Sequence, residues 1–383
     1  MKSFRRVLRN VQPKLPTLCY FILLAALLSG CSPAPEAPTA NSANANSTAA
    51  NANSSPANTN TSAASSASGY HEVQRITVGG EGKWDYITHD PEGNRLFVSH
   101  GTKVDVVDLS SGKVVGEIPN TPGVHGVLLV PGSTKGFITC GGAGVVKVFD
   151  TKTLAVTKEI ATGKNPDAIS YEPTSGRVFV SNGDSLSVSV IDPATEKVLA
   201  TIPVGGKPEQ HAADGKGAVW VNLEEKGSIV ELDAKELKLK REVKLPGCEE
   251  PASLAMDTQN RRLFAGCRNK VLAVVDPDGG RVITTLPVGE RVDTTVFDAE
   301  ARLIFSSNGD GTVTVVRQDS ADKYSPVETL KTPRGAKTMT ADLKTKRIFL
   351  PTAENLPVTA TGPPKEGETP FPLKNLIVVV LGK

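Results

Sequence analysis

From about residue 70 onward, short runs of alternating apolar and polar residues recur along the chain, separated by Gly, Pro, Asn and Asp. A period of two over five to seven positions marks a half-buried β-strand. Residues 167–205 show the pattern in full: "DAISYE", the turn "PTSG", "RVFVSN", the turn "GDS", "LSVSVID", the turn "PATEK", then "VLATIPVG". These are four β-branched strands joined by tight turns. No segment between turns is long enough for a good helix, so the spacing predicts an all-β chain.

The unit repeats. Strands written "LFVSH", "FITCG", "VFVSN", "VWVNL", "LFAGC", "IFSSN" and "IFLPT" carry the large apolar anchors Phe97, Phe137, Phe179, Trp220, Phe264, Phe305 and Phe349, at gaps of 40, 42, 41, 44, 41 and 44 residues. A second column, Asp108, Asp150, Asp192, Asp233 and Asp276, has gaps of 42, 42, 41 and 43. Two independent columns at one period, each unit four strands long, predict a seven-bladed β-propeller with four antiparallel strands per blade. The segment "HEVQRITVGGEGKW" matches the end of a repeat, whereas the last repeat stops after its third strand, "NLIVVVLGK". The N-terminal strand, 73–78, is therefore expected to close the last blade and remove an open edge.

The phrase "VFVSNGDSLSVSVIDPATEKVLATIPVGGKP" resembles the YVTN repeat, with its V-S-V-I-D and T-I-P-V-G cores. Over residues 70–383 the chain is similar to the YncE-like, YVTN-type β-propellers. Blade 6 departs from the pattern at Arg317, where the strand-end Asp is missing, and blade 7 departs further. The resemblance implies a bacterial extracytoplasmic or surface protein. It implies no particular activity, since related seven-bladed propellers range from lactonases to the cytochrome d1 domain, and fold does not fix function.

The region before the repeats is of another kind. Residues 1–30 hold five basic residues, no acidic ones, and an apolar run over 18–28 that is shorter than the ~20 residues a membrane span needs. The run ends in "LLSGC", which resembles a bacterial lipobox; the resemblance implies a lipoprotein signal peptide over 1–30 and lipidation at Cys31, against the alternative of an ordinary signal peptide with an incidental Cys. Ser32, where Asp would favour inner-membrane retention, points to an outer membrane facing the periplasm or to the cell surface. Residues 31–69, rich in Asn, Ala, Ser and Thr, cannot bury enough apolar surface to fold and read as a tether. The whole chain of 383 residues has a net charge of +2, but without the signal 38 basic residues face 41 acidic ones. No basic patch marks the chain for nucleic acid.

Candidate chemistry is confined to the mouth of the axial channel. Twelve residues before the aromatic anchor, in most blades, stand Asp85, His125, Asp167, Glu209, Ala252, Asp293 and Lys337. The ends of the second strands add His100, Cys140, Asn182 and Cys267, and His211 lies nearby. Asp85, His100, His125, Asp167, Asp293 and Lys337 are the expected ligand-binding residues. Asp85, His100, His125 and Asp167 also form a conceivable metal cluster from neighbouring blades, competing with a plain water-filled polar channel. No nucleophile elbow is present, and a catalytic role for Cys140 beside a His is weighed against an inert strand-end thiol. The strand-end Asp residues are expected to cap turns, and "NG" at Asn182 and Asn308 to form hairpin turns with Gly at positive φ.

Cys248, in the link into blade 5, and Cys267, at the end of its second strand, emerge on one face of the blade. A Cys248–Cys267 disulfide is predicted. Blade 7 carries an insert over 352–375, either a lid or partner contact or an idle loop. The sequence thus predicts a monomeric, lipid-anchored binding or scaffold propeller without cofactor or catalytic residues, with an unknown protein or small molecule as partner. A lactonase-like hydrolase or metal-dependent enzyme using the same funnel is the alternative.

Overall fold

The computed structural model, which describes residues 68–354 and 374–383, folds the alternating segments into seven four-stranded antiparallel sheets. The sheets run over residues 84–118, 124–161, 166–203, 208–244, 251–287, 292–331 and 340–382, in the predicted order. The signal segment, Cys31, nearly all of the tether and most of the blade 7 insert lie outside the described residues. Innermost strands of blades 1 to 6 touch in succession around the axis, blade 1 touches blade 7, and the apolar side chains of blades 6 and 7 share one core.

Packing follows from the alternation. The seven aromatic anchors are all buried. Each sits between sheets; Phe97 of blade 1, for example, packs with Val124, Val127 and Ile138 of blade 2. Burying one such ring stabilises by about 2–3 kcal/mol, so the anchors hold blade to blade rather than strand to strand.

The ring closes as the repeat phase predicted. His71–Thr77 pairs antiparallel with Leu376–Gly382 and forms the outer strand of blade 7. Its Ile76 is buried opposite Val378. Val78 N and Gly79 N both donate to Leu376 O, at 2.9 and 2.8 Å.

The strand-end Asp column caps turns. Asp108 accepts from Ser111 N at 2.7 Å, Asp192 from Ala194 N at 2.9 Å, and Asp150, Asp233 and Asp276 likewise hold backbone N–H groups two or three residues on. The "NG" expectation needs correction. In blade 3 a 3₁₀ turn, Gly183–Ser185, intervenes and Leu186 takes the positive φ of 49°; in blade 6 Gly311 does so, at 93°. Gly183 and Gly309 keep ordinary φ because the turn is longer than two residues.

Candidate functional site

In blades 1 to 6 the innermost strand pairs at its first residue and then slips register, as between Trp84 and Ile87 or Val124 and Val127. The residue just after that first pair is Asp85, His125, Asp167, Glu209, Ala252 or Asp293. A bulge re-aims the side chain it carries, and here it turns one residue of each blade toward the axis.

Their backbone is pinned from the adjoining blade. Ser99, Thr139 and Ser181, one residue before the end of a second strand, donate to the carbonyls of His125, Asp167 and Glu209. Ser307 does the same for Lys337. Blade 5 has Gly266 at this position and blade 7 has Pro351, so other donors serve. Gln210 of blade 4 reaches Asp293 O at 3.1 Å, and Thr338 reaches Asp85 O at 2.6 Å.

The side chains form a chain of alternating charge around the mouth. His125 Nδ1–H donates to Asp85 Oδ2 at 2.6 Å and lies 3.6 Å from Asp167 Oδ1. Lys337 pairs with Asp293 and lies 3.7 Å from Asp85 Oδ1. Arg268 stands 3.8 Å from Asp293 Oδ1 and 2.6 Å from Glu224 Oε1. Lys207 closes this side, paired with Glu224 and with Glu209 at 2.8 Å. Every blade therefore contributes a charged group.

Five carboxyl groups crowd against four cations, and their proton affinities spread apart. Burial raises Asp167 to about 6, with the His125 charge pulling the other way and Asp85 and Asp293 adding to the rise. Burial, with the charges of Asp167 and Glu224, raises Glu209 well above the carboxylate range, and Glu209 hydrogen-bonds Glu224. Burial disfavours charged His125, but its bond to Asp85 and the field of Asp167 outweigh this and lift it to about 9. Burial likewise pushes Asp85 up, and Lys337 and His125 together bring it below its usual value. Tyr86, next to Asp85 in the chain, is raised well above its ordinary value by burial and then by carboxylates of blades 3, 4, 1 and 6.

The expected residues Asp85, His125, Asp167, Asp293 and Lys337 thus meet at the mouth, whereas His100 does not. The residue is 3% exposed, its ring hydrogen-bonded through Nδ1 to Asp105 Oδ2 at 2.7 Å and through Nε2 to Glu81 O at 3.0 Å. Asn182 and Asn308 occupy the same place in their blades and bond the third strand in the same way. His100 therefore clasps the third strand of its own blade to the segment that enters the blade at Glu81, and is no member of a metal cluster. His211 is also withdrawn, held between Ser170 and Ser181 at 3.0 and 2.7 Å, and burial lowers it to about 3. Cys140 is a buried thiol pushed up to about 12 by burial, a poor nucleophile.

Lys207, Glu224, Arg268 and Tyr86 were not foreseen. A signal for two of them is present. The residue after the second strand is Gly101, Gly141, Gly183 and Gly309 in four blades, but Glu224 and Arg268 in blades 4 and 5. In blade 2 a Cβ on Gly141 would stand 2.7 Å from His125 Nε2. In blade 5 the mouth residue is the small Ala252, and Arg268 takes up the space.

The predicted disulfide is present: Cys248 and Cys267 are bonded, with Cα atoms 5.4 Å apart. It ties the loop before blade 5 to the strand Arg262–Cys267; the next residue, Arg268, donates its N–H to Glu249 O at 3.0 Å. A groove of about 730 Å³, lined by Glu224, Lys226, Leu245, Cys248 and Glu250 among others, opens alongside.

No protein-family model matches the chain. Over 119 residues it is 32% identical to the uncharacterized protein YncE of Salmonella typhimurium, and equally to that of Salmonella typhi. The chain spans about a third of the length of these curated relatives, 31% in each case, and the match covers 30% of this chain. Among solved structures it resembles hydrazine synthase of Kuenenia stuttgartiensis, with a TM-score of 0.52, 20% identity, and coverage of 60% of this chain and 74% of that one. The U3-55K structure matches with a TM-score of 0.68 at 8% identity over 80% of this chain and 98% of its own. The WD40 repeats of RRP9 give 0.68 at 8% over 81% and 97%. At such identities the likeness is one of fold.

Proposed function

We propose that this YncE-like seven-bladed β-propeller is a monomeric binding module of the bacterial envelope. A lipid on Cys31 holds it to a membrane. The lipobox and the Ser that follows it support an outer membrane facing the periplasm, or the cell surface. The ligand meets the mouth of the axial channel, and it is a small polar solute or partner side chain that offers both signs of charge.

One observation carries this reading. Each blade puts a charged side chain into one chain of pairs around the mouth, most of it on backbone pinned by a neighbour, and buried carboxyls there share too few cations. Preorganised, partly desolvated charge is costly to hold and suits recognition. Two groups that the sequence offered near the mouth are withdrawn from it: Cys140 is buried and His211 is enclosed by hydroxyls.

Two experiments test the two halves. Cys31→Ser should move the protein from the membrane to the soluble fraction, and unchanged membrane fractionation refutes the anchor. A panel of small zwitterions, cations and anions, screened by thermal shift, should contain zwitterions that stabilise the wild type but not Asp293→Asn/Lys337→Ala. Equal response of the two proteins across the panel refutes the mouth as the site.

A further inference from the structure

We propose that Asp85, His125 and Asp167 bind one divalent transition-metal ion of the zinc type. This deepens the reading of the mouth as a ligand site and rests on it.

One ligand atom from each of the three residues lies within 4.8 Å of the other two. They come from blades 1, 2 and 3, and the shared atom is His125 Nδ1, 2.6 Å from Asp85 and 3.6 Å from Asp167. Asp167 supplies an independent sign. Its Oδ1 is shut off from solvent, has no hydrogen-bond partner, and is the oxygen facing His125. A buried carboxylate oxygen left without a donor is costly, and a cation between it and Nδ1 would satisfy it.

The donor set selects the class of ion. One imidazole nitrogen and two carboxylates suit zinc and its neighbours, with water completing a tetrahedral shell. Calcium wants six to eight oxygens and magnesium an octahedron of them. The scaffold is stiff at all three donors, because hydroxyls of Thr338, Ser99 and Thr139 fix the carbonyls of Asp85, His125 and Asp167. Gly141 gives the imidazole its place. Lys337 opposes a cation beside Asp85, but its closer partner is Asp293.

The exchange balances. Without metal, the His125 imidazolium carries a proton on each ring nitrogen, the Nδ1 proton lying between the two carboxylates. On binding, the Nδ1–H bond breaks, its electron pair is donated to the ion, Nε2 keeps its proton, and one proton leaves to solvent for each ion bound.

Full-length protein in detergent, stripped with chelator, is titrated with Zn²⁺ by calorimetry in buffers of different ionisation enthalpy. One ion per chain and about one proton released are expected. Asp167→Asn, which keeps the side-chain shape, and Gly141→Ala, which displaces the ring, should each weaken binding by ~10-fold or more. Replacing zinc by Co²⁺ should give visible absorption that Asp167→Asn reduces, with metal-free melting confirming that the variant is folded. Absence of stoichiometric binding, or wild-type affinity in both variants, overturns the inference. If zinc fails while the Asp293/Lys337-dependent solute response persists, the metal is refuted and the mouth reading stands. Loss of both refutes both.

Discussion

Arg268 Nη1 lies 2.6 Å from Glu224 Oε1, and this contact between blades 5 and 4 occupies the place that Ala252 leaves open in the ring. Glu224 is almost fully buried, and burial alone would raise it. Its hydrogen bonds to Glu209 and Lys207 and the charge of Arg268 bring it below its usual value. Arg268 is partly solvent-exposed, so the pair is discounted for screening, and Arg268→Ala should cost about 1–2 kcal/mol of stability. Glu224→Gln in the same chain should recover part of the loss, because it removes the carboxylate left unbalanced. A double-mutant cycle in urea measures this, and strictly additive losses would refute the coupling.

His125 and His211 should give the stability curve two limbs of opposite sign. The folded pKa of His125 is raised from 6.5 to about 9, so its contribution is complete below pH 6.5 and is lost as pH rises through 9. At this shift it amounts to on the order of 3 kcal/mol. His211 is depressed from 6.5 to about 3, so its contribution is present above pH 6.5 and is lost as pH falls toward 3. Asp167, raised from 3.8 to about 6, opposes His211 over the acid range. In metal-free protein the window for His125 is therefore pH 6.5 to 9, where melting temperature should decline in the wild type and decline less in His125→Ala, which keeps the raised Glu209. Parallel curves for the two proteins there would sink the assignment.

Much of this could be read from the chain, and the residues that could not share a cause. The aromatic anchors, the strand-end Asp column and the phase of 71–77 against 376–382 report local period, and local period survives folding unchanged. The mouth column was legible for the same reason, since one register position in each blade faces the axis. His100 was misplaced because the end of a second strand is near the mouth in sequence, while its side chain points into the sheet toward Asp105. Arg268 and Glu224 were hidden because they occupy a Gly position, where the scaffold needs no side chain. Their charge acquires meaning only through a partner in the next blade.

The cysteines should separate cleanly in a thiol count. Cys248 and Cys267 are bonded across 19 residues, so they should react only after reduction. Cys140 is buried with its thiol pushed up to about 12, and should react only after unfolding. Native protein should therefore yield no thiol from these three, denaturation one, and reduction two more. Replacing the bonded pair by Ser should destabilise by on the order of 3 kcal/mol. It should also loosen Arg268, because the loop that accepts its N–H is no longer tied. Two fast-reacting thiols from Cys248 and Cys267 in the untreated protein would reject the bond in solution.

The seam of blade 7 is the place where one short deletion should loosen the entire ring. His71–Thr77 is local to nothing in sequence, yet it covers the edge of Leu376–Gly382 and buries Ile76 against Val378. Without it, an inner strand of blade 7 becomes an open edge, and the sheet of blade 7 loses an apolar side chain and a ladder of hydrogen bonds. A chain that begins at Gly80 should melt on the order of 10 °C below one that begins at Ser68, from about 3–5 kcal/mol lost in apolar burial and backbone bonding. Ile76→Ala in the intact chain should reproduce about 2–4 kcal/mol of that loss through the cavity it leaves. Because the blades bury one another around a closed circle, the loss should appear as a single earlier transition. Unchanged melting of the shortened chain, or a separate early transition confined to blade 7, would show that closure does not couple the blades.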